Sequence, residues 1–194
     1  MKTKRRQKVR VRRWTKEEYY RLGELGFFRG QRVELIEGRL MVMSPQNNPH
    51  ANGVELINYT LIPLLRPAFR VRVQLPFNMS TTTEPEPDFL IQAVAGLLAP
   101  HFHPTTADLI VEVSDSSLSY DRKRKGSLYA RAGVADYWIV NLVDHQLEVY
   151  RDPIPDPAHP FGWKYASRTD LKAPMTISPL ILPGQSIAVA DLVP

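Results

Sequence analysis

The chain has 194 residues, 43% of them apolar and 23% charged, a size and composition typical of one globular domain with a substantial core. It has no cysteine, which excludes disulfides and thiolate metal sites and fits a reducing, cytoplasmic location. Its longest apolar stretch, residues 89–100, is too short to cross a bilayer, so we expect no membrane partner.

The net charge of +5 is concentrated at the N-terminus. Residues 1–13 contain eight lysines and arginines and no acid, whereas the rest of the chain is mildly acidic. We therefore predict a basic arm over 1–13 and a single domain over 14–194. A terminal block of like charge is as typical of a solvated tail as of an arm that binds nucleic-acid phosphates. In the second case the binding residues would include Lys4, Arg5, Arg6, Arg12 and Arg13.

The first predicted elements are a helix and a β-hairpin. Thr15 and Glu18 have the spacing of a capping box, which predicts a helix that ends near Gly26. Alternating apolar residues on both sides of Glu37-Gly38 predict a hairpin over 33–43. Both elements precede the segments that carry the candidate site, so we treat them as N-terminal additions to the main fold.

The middle of the chain predicts a second helix and three strands. The helix has apolar residues at spacings of three and four, and Pro63 is expected to kink or shorten it. Alternation predicts a half-exposed strand over 69–79, and short apolar runs predict strands over 88–92 and 107–114. Residues 95–106, which contain glycine and proline, predict a loop.

The C-terminal half predicts a helix over 120–133, closed by its final glycine, and a hairpin formed by 136–143 and 145–152. Beyond the hairpin, proline and glycine recur and predict short strands and turns over 153–194. Because helices and strands succeed one another in this order, the sequence predicts an α/β or α+β fold with a sheet flanked by helices.

Two acidic residues stand where apolar residues are expected. Asp88 directly precedes one predicted strand, and Glu112 interrupts the apolar run of another. A buried carboxylate is costly unless something pairs with it. Two strands that each carry one misplaced acid therefore indicate a shared cation, and hard cations such as Mg²⁺ take oxygen ligands. A strand end exposed to solvent before Ser114 would also explain Glu112.

A lysine on the following helix joins the two acids. On a helical wheel, Asp121 and Lys125 fall on the buried stripe of the predicted 120–133 helix, whereas Lys123 points elsewhere. A lysine in an apolar stripe must pair with an acid or extend to solvent. An Asp121–Lys125 pair on a solvated face is the alternative. The candidate catalytic residues are thus Asp88, Glu112 and Lys125.

The second-rank candidates are Glu34, His50 and Asp121. Glu34 could supply a further carboxylate or a contact to water, and it could equally be a polar residue on a hairpin edge. His50 lies at the start of the second predicted helix, where a histidine is more often a capping or surface group than a base. Asp121 shares the buried stripe with Lys125.

The order of these motifs over residues 33–150 resembles that of the Uma-two family of endonucleases, in the restriction-endonuclease-like superfamily with the hallmark PD-(D/E)XK. The matching stretches are Glu34-Leu35-Ile36-Glu37-Gly38, Pro45, His50, Pro87-Asp88, Val111-Glu112-Val113-Ser114, Asp121 with Lys125 and Tyr129, Ala132-Gly133-Val134, and Asp136-Tyr137-Trp138-Ile139-Val140. The resemblance implies a mixed central β-sheet with helices on both sides, to which this chain adds the N-terminal helix and hairpin.

The resemblance also implies roles for the site residues. Asp88, Glu112 and the backbone carbonyl of Val113 would bind Mg²⁺ or Mn²⁺, and Lys125 would orient or activate water. The sequence departs from the superfamily pattern at Ser114, where the usual lysine lies two residues after the second acid. Serine cannot supply a cation, but related nucleases can deliver the lysine from the next helix, as Lys125 would here.

Three functions are compatible with the sequence. The leading hypothesis is a divalent-metal-dependent endonuclease that acts on DNA as a homodimer. The second is a nucleic-acid-binding protein of the same fold that has lost cleavage, which Ser114 favours. The third is an assembly module in which the 137–150 hairpin pairs with a partner. Tyr137 and Trp138, together with the first helix, would offer the apolar surface for a two-fold contact.

Overall fold

The computed structural model describes residues 10–93 and 103–194. Residues 1–9, with Lys4, Arg5 and Arg6 of the basic arm, lie outside the described residues, and so do residues 94–102, which include most of the predicted 95–106 loop. In chain order the elements are α1 (Lys16–Glu24), β1 (Arg32–Ile36), β2 (Arg39–Met43), α2 (Asn48–Leu65), β3 (Phe69–Val73), β4 (Phe89–Ala93), β5 (Leu109–Ser114), α3 (Leu118–Tyr120), a π-helical turn (Asp121–Lys125), α4 (Gly126–Arg131), β6 (Asp136–Asn141), β7 (Gln146–Pro155), β8 (Trp163–Leu171), β9 (Thr176–Ile177) and β10 (Ile187–Ala188).

The N-terminal helix and hairpin form as predicted. Glu18 N–H donates to the Thr15 hydroxyl and Thr15 N–H donates to the Glu18 carboxylate, so α1 begins with a capping box. β1 and β2 pair antiparallel around Glu37 and Gly38, whose φ angles are 51° and 71°. Positive φ at both positions is what a two-residue type I′ turn requires, and a glycine at the second position adopts it without strain.

A mixed sheet with the strand order β3-β4-β5-β6-β7-β8 forms the centre of the fold. β5 and β6 are parallel, and every other neighbouring pair in this sheet is antiparallel. Parallel neighbours need a crossover connection, which α3, the π-helical turn and α4 supply. The predicted fold class, a mixed sheet flanked by helices, is thereby confirmed.

Each face of the sheet is covered by a helix. On one face, Ile57 of α2 belongs to the same buried cluster as Val111 of β5. On the other face, Tyr129 of α4 packs in a second cluster with Ile110. Because successive strand residues alternate between faces, Glu112 lies on the face of Ile110, beneath the crossover helix. The alternation thus turns one polar residue of a buried strand toward α4.

Residues 118–131 form one helical segment in three parts, with the π-helical turn between α3 and α4. Asp121 and Lys125, the first and last residues of that turn, are both buried, whereas Lys123 is exposed. The burial of Asp121 and Lys125 that the helical wheel predicts is therefore confirmed. π-helical turns are uncommon and are frequently found at functional sites.

Three predicted elements differ from the structure. The strand expected over 69–79 ends at Val73, where Gln74 has a φ of 51° that breaks the extended backbone. Residues 153–194 were expected to hold only short strands, but β7 extends to Pro155 and pairs with the nine-residue β8. The helix predicted over 120–133 instead covers 118–131 and contains the π-helical turn. Pro63, which was expected to kink or shorten α2, lies two residues before the end of that helix.

The prediction that the 137–150 hairpin presents an apolar contact surface is wrong. Tyr137 and Trp138 are fully buried in the two core clusters. Both β6 and β7 have a neighbour on each side within the sheet, so neither strand offers a free edge. Among the described residues, no helix is long and apolar enough to span a membrane.

Candidate active site

Asp88 lies immediately before β4, with its carboxylate directed at the neighbouring strand β5. Its Oδ2 accepts a hydrogen bond of 2.9 Å from the backbone N–H of Val113 and lies 3.2 Å from His50 Nε2. Its Oδ1 accepts a hydrogen bond of 3.0 Å from Gln74 Nε2. Antiparallel pairing of β4 with β5 therefore fixes the backbone beneath Asp88, and side chains from α2 and the end of β3 fix its carboxylate.

Glu112 occupies β5, a strand that is buried along its whole length. Its Oε1 accepts hydrogen bonds from Lys125 Nζ at 2.9 Å and from the Tyr129 hydroxyl at 2.7 Å. Its Oε2 accepts a hydrogen bond of 3.2 Å from the backbone N–H of Asp88. Asp88 and Glu112, which are distant in the sequence, thus lie side by side and each binds the backbone of the other's strand.

Lys125 extends from the π-helical turn to two carboxylates. Its Nζ lies 2.9 Å from Glu112 Oε1 and 3.3 Å from Oε1 of Glu34, which β1 contributes. The residues Lys125, Glu112 and Glu34 are 4%, 2% and 2% exposed. An ammonium group so deeply buried is retained by its acidic partners, because an unpaired buried charge is strongly unfavourable.

Asp121 does not form the solvated pair with Lys125 that the sequence left open. Its Oδ2 instead accepts hydrogen bonds from the hydroxyls of Ser114 at 2.7 Å and Ser117 at 2.6 Å. Ser114, which stands where the superfamily pattern has lysine, is completely buried. This serine therefore anchors the start of the helical turn whose last residue is Lys125.

One cleft, with a volume of about 210 Å³, is lined by all the candidate site side chains: Glu34, His50, Asp88, Glu112, Asp121 and Lys125. The hairpin β1–β2, the start of α2 and the segment after β5 also contribute to its walls. The acidic residues that line it are Glu34, Glu86, Asp88, Glu112, Asp115 and Asp121, and the basic ones are Arg32 and Lys125, with His50 beside them. Acids exceed bases, so the cleft concentrates cations.

The two central carboxylates have opposite protonation behaviour. Burial, reinforced by the nearby carboxylates of Asp88, Asp121 and Glu34, raises the pKa of Glu112 to about 8 despite the charge of Lys125. Glu112 therefore binds a proton more readily than an exposed carboxylate does, and a cation that enters the site would displace that proton.

Asp88, by contrast, stays ionised. Burial opposes its charge, but the hydrogen bond and charge of His50, the charge of Lys125 and the N–H of Val113 outweigh burial and lower the pKa of Asp88. Burial also opposes the charge of Lys125, yet the surrounding carboxylates, Glu112 foremost, raise the pKa of Lys125 well above its ordinary value. Lys125 is therefore a cation in this cleft.

The donor set of the cleft fits a hard divalent cation. Asp88 and Glu112 supply adjacent carboxylates, and Glu34 Oε2 is buried without a hydrogen-bond partner among the described residues. Within residues 10–93 and 103–194, no group of three or more His, Cys, Asp or Glu side chains is arranged as a metal cage. Two carboxylates with carbonyl and water oxygens suit Mg²⁺, which commonly keeps several waters.

The second-rank candidates reach the site by different routes. His50 contacts Asp88, while its Nδ1 is buried without a partner; the N-cap of α2 is Asn47, not His50. Sequence reasoning missed Gln74 and gave Tyr129 no role. Tyr129 follows Lys125 at a spacing of four on a buried helix face, a signal that could have indicated it. Gln74 has no comparable signal, because a turn in the backbone brings it to Asp88.

The described part of the basic arm does not line this cleft. Arg12 lies over the ring of Trp14 and forms an ion pair with Glu18 at the start of α1. Arg13 donates a hydrogen bond to the carbonyl of Glu37 in the hairpin turn. Both arginines are exposed.

A mixed sheet whose paired strands present two adjacent acids beside a buried lysine defines a protein of the restriction-endonuclease-like class. The model of the Uma2 family, described as "Putative restriction endonuclease", matches residues 16–190, so the chain belongs to that family. It is also similar to a solved structure from Anabaena variabilis ATCC 29413, described as a "putative nuclease belonging to DUF820". The two have 15% sequence identity and a TM-score of 0.58, over 82% of this chain and 88% of that one, which shows a shared fold. No curated protein matches the chain.

Proposed function

We propose that the protein is a divalent-metal-dependent endonuclease that hydrolyses phosphodiester bonds in DNA. The observation that supports this function best is the joint placement of Asp88, Glu112 and Lys125 in one acidic cleft. Membership in a family described as restriction endonucleases supports the same reaction class.

The residues of the cleft divide the work. Asp88, Glu112 and the carbonyl of Val113 would hold Mg²⁺ or Mn²⁺, which when bound would polarise the scissile phosphate and lower the pKa of bound water. Lys125 has three donors and directs at least one of them to Glu112, which leaves donor capacity for the attacking water or a phosphate oxygen. His50 and Gln74 hold Asp88 in place, Tyr129 holds Glu112, and Glu34 and Asp121 support Lys125 and its helical turn.

A plasmid-nicking assay with Mg²⁺, Mn²⁺ or EDTA tests this function. Wild type should cleave with either metal and not with EDTA. Lys125→Ala should reduce the cleavage rate by about a hundredfold with a smaller change in metal affinity, because its role is in the charged transition state. Lys123→Ala, an exposed lysine of the same helical turn, is the matched control and should change little. Equal activity of wild type and Asp88→Ala would remove the nuclease assignment from this cleft.

The second candidate is a nucleic-acid-binding protein of this fold without cleavage activity. It is favoured by Ser114, which engages Asp121 and leaves no lysine on β5 itself. DNA binding without cleavage in any divalent metal would establish this function in place of the first.

The basic arm extends the proposal to the substrate. Residues 1–13 bind the phosphate backbone, so their deletion should weaken DNA binding at low salt more than it lowers stability. A truncated protein that binds DNA as tightly as the full chain would make the arm a solvated tail. The protein acts in the cytoplasm, in keeping with the absence of cysteine.

A homodimer would let two clefts act on the two DNA strands. Apolar surface for the contact lies on α1 and the turn after it, where Tyr20, Leu25 and Phe27 are exposed. Light scattering at micromolar concentration should give twice the monomer mass. A monomer would favour nicking over double-strand cleavage.

A further inference from the structure

The tyrosine hydroxyls of this protein divide into two groups. All eight tyrosines lie within the described residues. Six donate hydrogen bonds to the protein: Tyr19 to the Val33 carbonyl, Tyr20 to Glu84, Tyr129 to Glu112, Tyr137 to the Asp121 carbonyl, Tyr150 to Glu148 and Tyr165 to the Val134 carbonyl. The other two are Tyr59 and Tyr120. Tyr59 is 74% exposed on α2, where water satisfies its hydroxyl.

Tyr120 is not a surface residue of that kind. It is half-buried at the end of α3, directly before the π-helical turn, and it lines the cleft with Asp88, Glu112 and Lys125. Its hydroxyl has no hydrogen-bond partner among the described residues. Because this hydroxyl is reached by the water of the cleft, a molecule bound there can replace that water as its hydrogen-bond partner.

The electrostatics of the cleft indicate that the Tyr120 hydroxyl is a hydrogen-bond donor for an anionic ligand. Burial, reinforced by the charge of Glu34, raises the pKa of Tyr120 to about 12, so the hydroxyl keeps its proton at neutral pH. The carboxylates around it can accept but not donate when ionised. Lys125 divides its three donors between a ligand and its partners Glu112 and Glu34, so it offers a ligand at most one hydrogen bond. An anionic ligand that enters the cleft therefore finds in Tyr120 a second donor, one that no described protein group occupies.

The proposed nuclease function supplies such a ligand, and the following step rests on it. We propose that the Tyr120 hydroxyl donates a hydrogen bond to a non-bridging oxygen of the DNA phosphodiester backbone bound in the cleft. Tyr120 is then a substrate-binding residue of the site, distinct from the acids and from Lys125.

The test compares Tyr120→Phe with Tyr59→Phe. Each variant loses one hydroxyl that has no protein partner, so neither should lower Tm. A hydrogen bond to a charged acceptor predicts a rise of about tenfold in KM for DNA cleavage in Mg²⁺ for Tyr120→Phe, with kcat within about twofold of wild type. Tyr59→Phe should match wild type in both constants.

Binding is measured separately, by anisotropy of a fluorescein-labelled DNA oligonucleotide with Ca²⁺ as the cation. Tyr120→Phe should raise Kd by about tenfold, and this result supports the proposal whether or not the protein cleaves DNA. A Kd for Tyr120→Phe equal to that of wild type overturns it, as does an equal loss in Tyr59→Phe. A wild type that cleaves no substrate but shows the Tyr120 effect on binding overturns only the nuclease function. A wild type that does not bind DNA overturns both.

Discussion

Glu112 and Glu148 lie in one row across the central sheet, separated by Ile139, and have opposite surroundings. Both side chains are buried, and both accept hydrogen bonds from the helical segment 118–131. Glu148 accepts hydrogen bonds from Arg122, Asn141 and Tyr150, and Arg168 forms an ion pair with it at 3.4 Å. Glu112 accepts hydrogen bonds from Lys125 and Tyr129 but also lies near the carboxylates of Asp88, Asp121 and Glu34.

The consequence is a separation of their pKa values. Burial opposes the charge of Glu148, but the hydrogen bonds of Arg122, Tyr150 and Asn141 and the charge of Arg168 lower its pKa to about 2. The pKa of Glu112 is raised to about 8. A buried carboxylate with enough cationic partners stabilises the fold, whereas one that shares a single lysine with other acids is suited to bind a cation from solution.

The largest expected effect is on catalysis. Asp88→Ala and Glu112→Ala should each reduce metal-dependent cleavage by more than about a hundredfold while the fold persists, because in the proposed function both carboxylates bind the cation. Glu148→Gln should retain the wild-type rate per folded molecule. Rates measured on samples normalised by circular dichroism check this contrast. Loss of cleavage in Glu148→Gln without unfolding would contradict the assignment of a purely structural role to Glu148.

The next effect is on stability. Glu148→Gln should lower the free energy of unfolding by about 3 kcal/mol, because Arg122 and Arg168 lose their buried anionic partner. Glu112→Gln in metal-free buffer should lower it by less than about 1 kcal/mol or raise it, since one of several close carboxylates is removed. Urea unfolding at neutral pH measures both changes. A larger loss in the free energy of unfolding for Glu112→Gln than for Glu148→Gln would contradict the assignment of Glu148 as the more stabilising carboxylate.

Divalent cations should distinguish the two carboxylates without any cleavage assay. Mg²⁺ or Mn²⁺ at about a hundred times Kd should stabilise wild type by about 2.7 kcal/mol, seen as a rise in Tm, because the cation binds only the folded cleft. Glu148→Gln should show the same rise, and Asp88→Ala should show none. The rise should be larger at pH 8 than at pH 6, since binding displaces the Glu112 proton. A pH-independent rise would contradict a role for Glu112 in binding.

The smallest effect is the pH dependence of the metal-free protein. The folded-state pKa of Glu148 lies below its ordinary value of 4.5, so its contribution to stability is present above that pH and is lost as pH falls toward 2. The folded-state pKa of Glu112 lies above its ordinary value, so stability falls as pH rises from 4.5 to 8. Tm scans in EDTA should show both slopes. Glu112→Gln should flatten the slope above pH 4.5, and Glu148→Gln the slope below it.

Local sequence patterns correctly predicted the parts of the fold that are determined by short-range interactions. The capping box of Thr15 and Glu18 fixed the start of α1, and Glu37-Gly38 fixed the hairpin turn. The extent of β3 and β8 could not be foretold. β3 stops at a backbone bend at Gln74, and β8 exists because β7 gives it a partner, which no local pattern records.

The sequence by itself determined the fold class, the family, and the identity of Asp88, Glu112 and Lys125 as polar residues in apolar surroundings, because the cost of burying charge makes such residues conspicuous. Only the tertiary structure decided which side chains surround these three residues. Pairing of β4, β5 and β6 and the crossover helix placed the two acids side by side and separated Glu112 from Glu148. It also decided that Tyr137 and Trp138 are core residues and that the Tyr120 hydroxyl lies in the cleft without a partner among the described residues, since residues distant in sequence settle burial and hydrogen bonding.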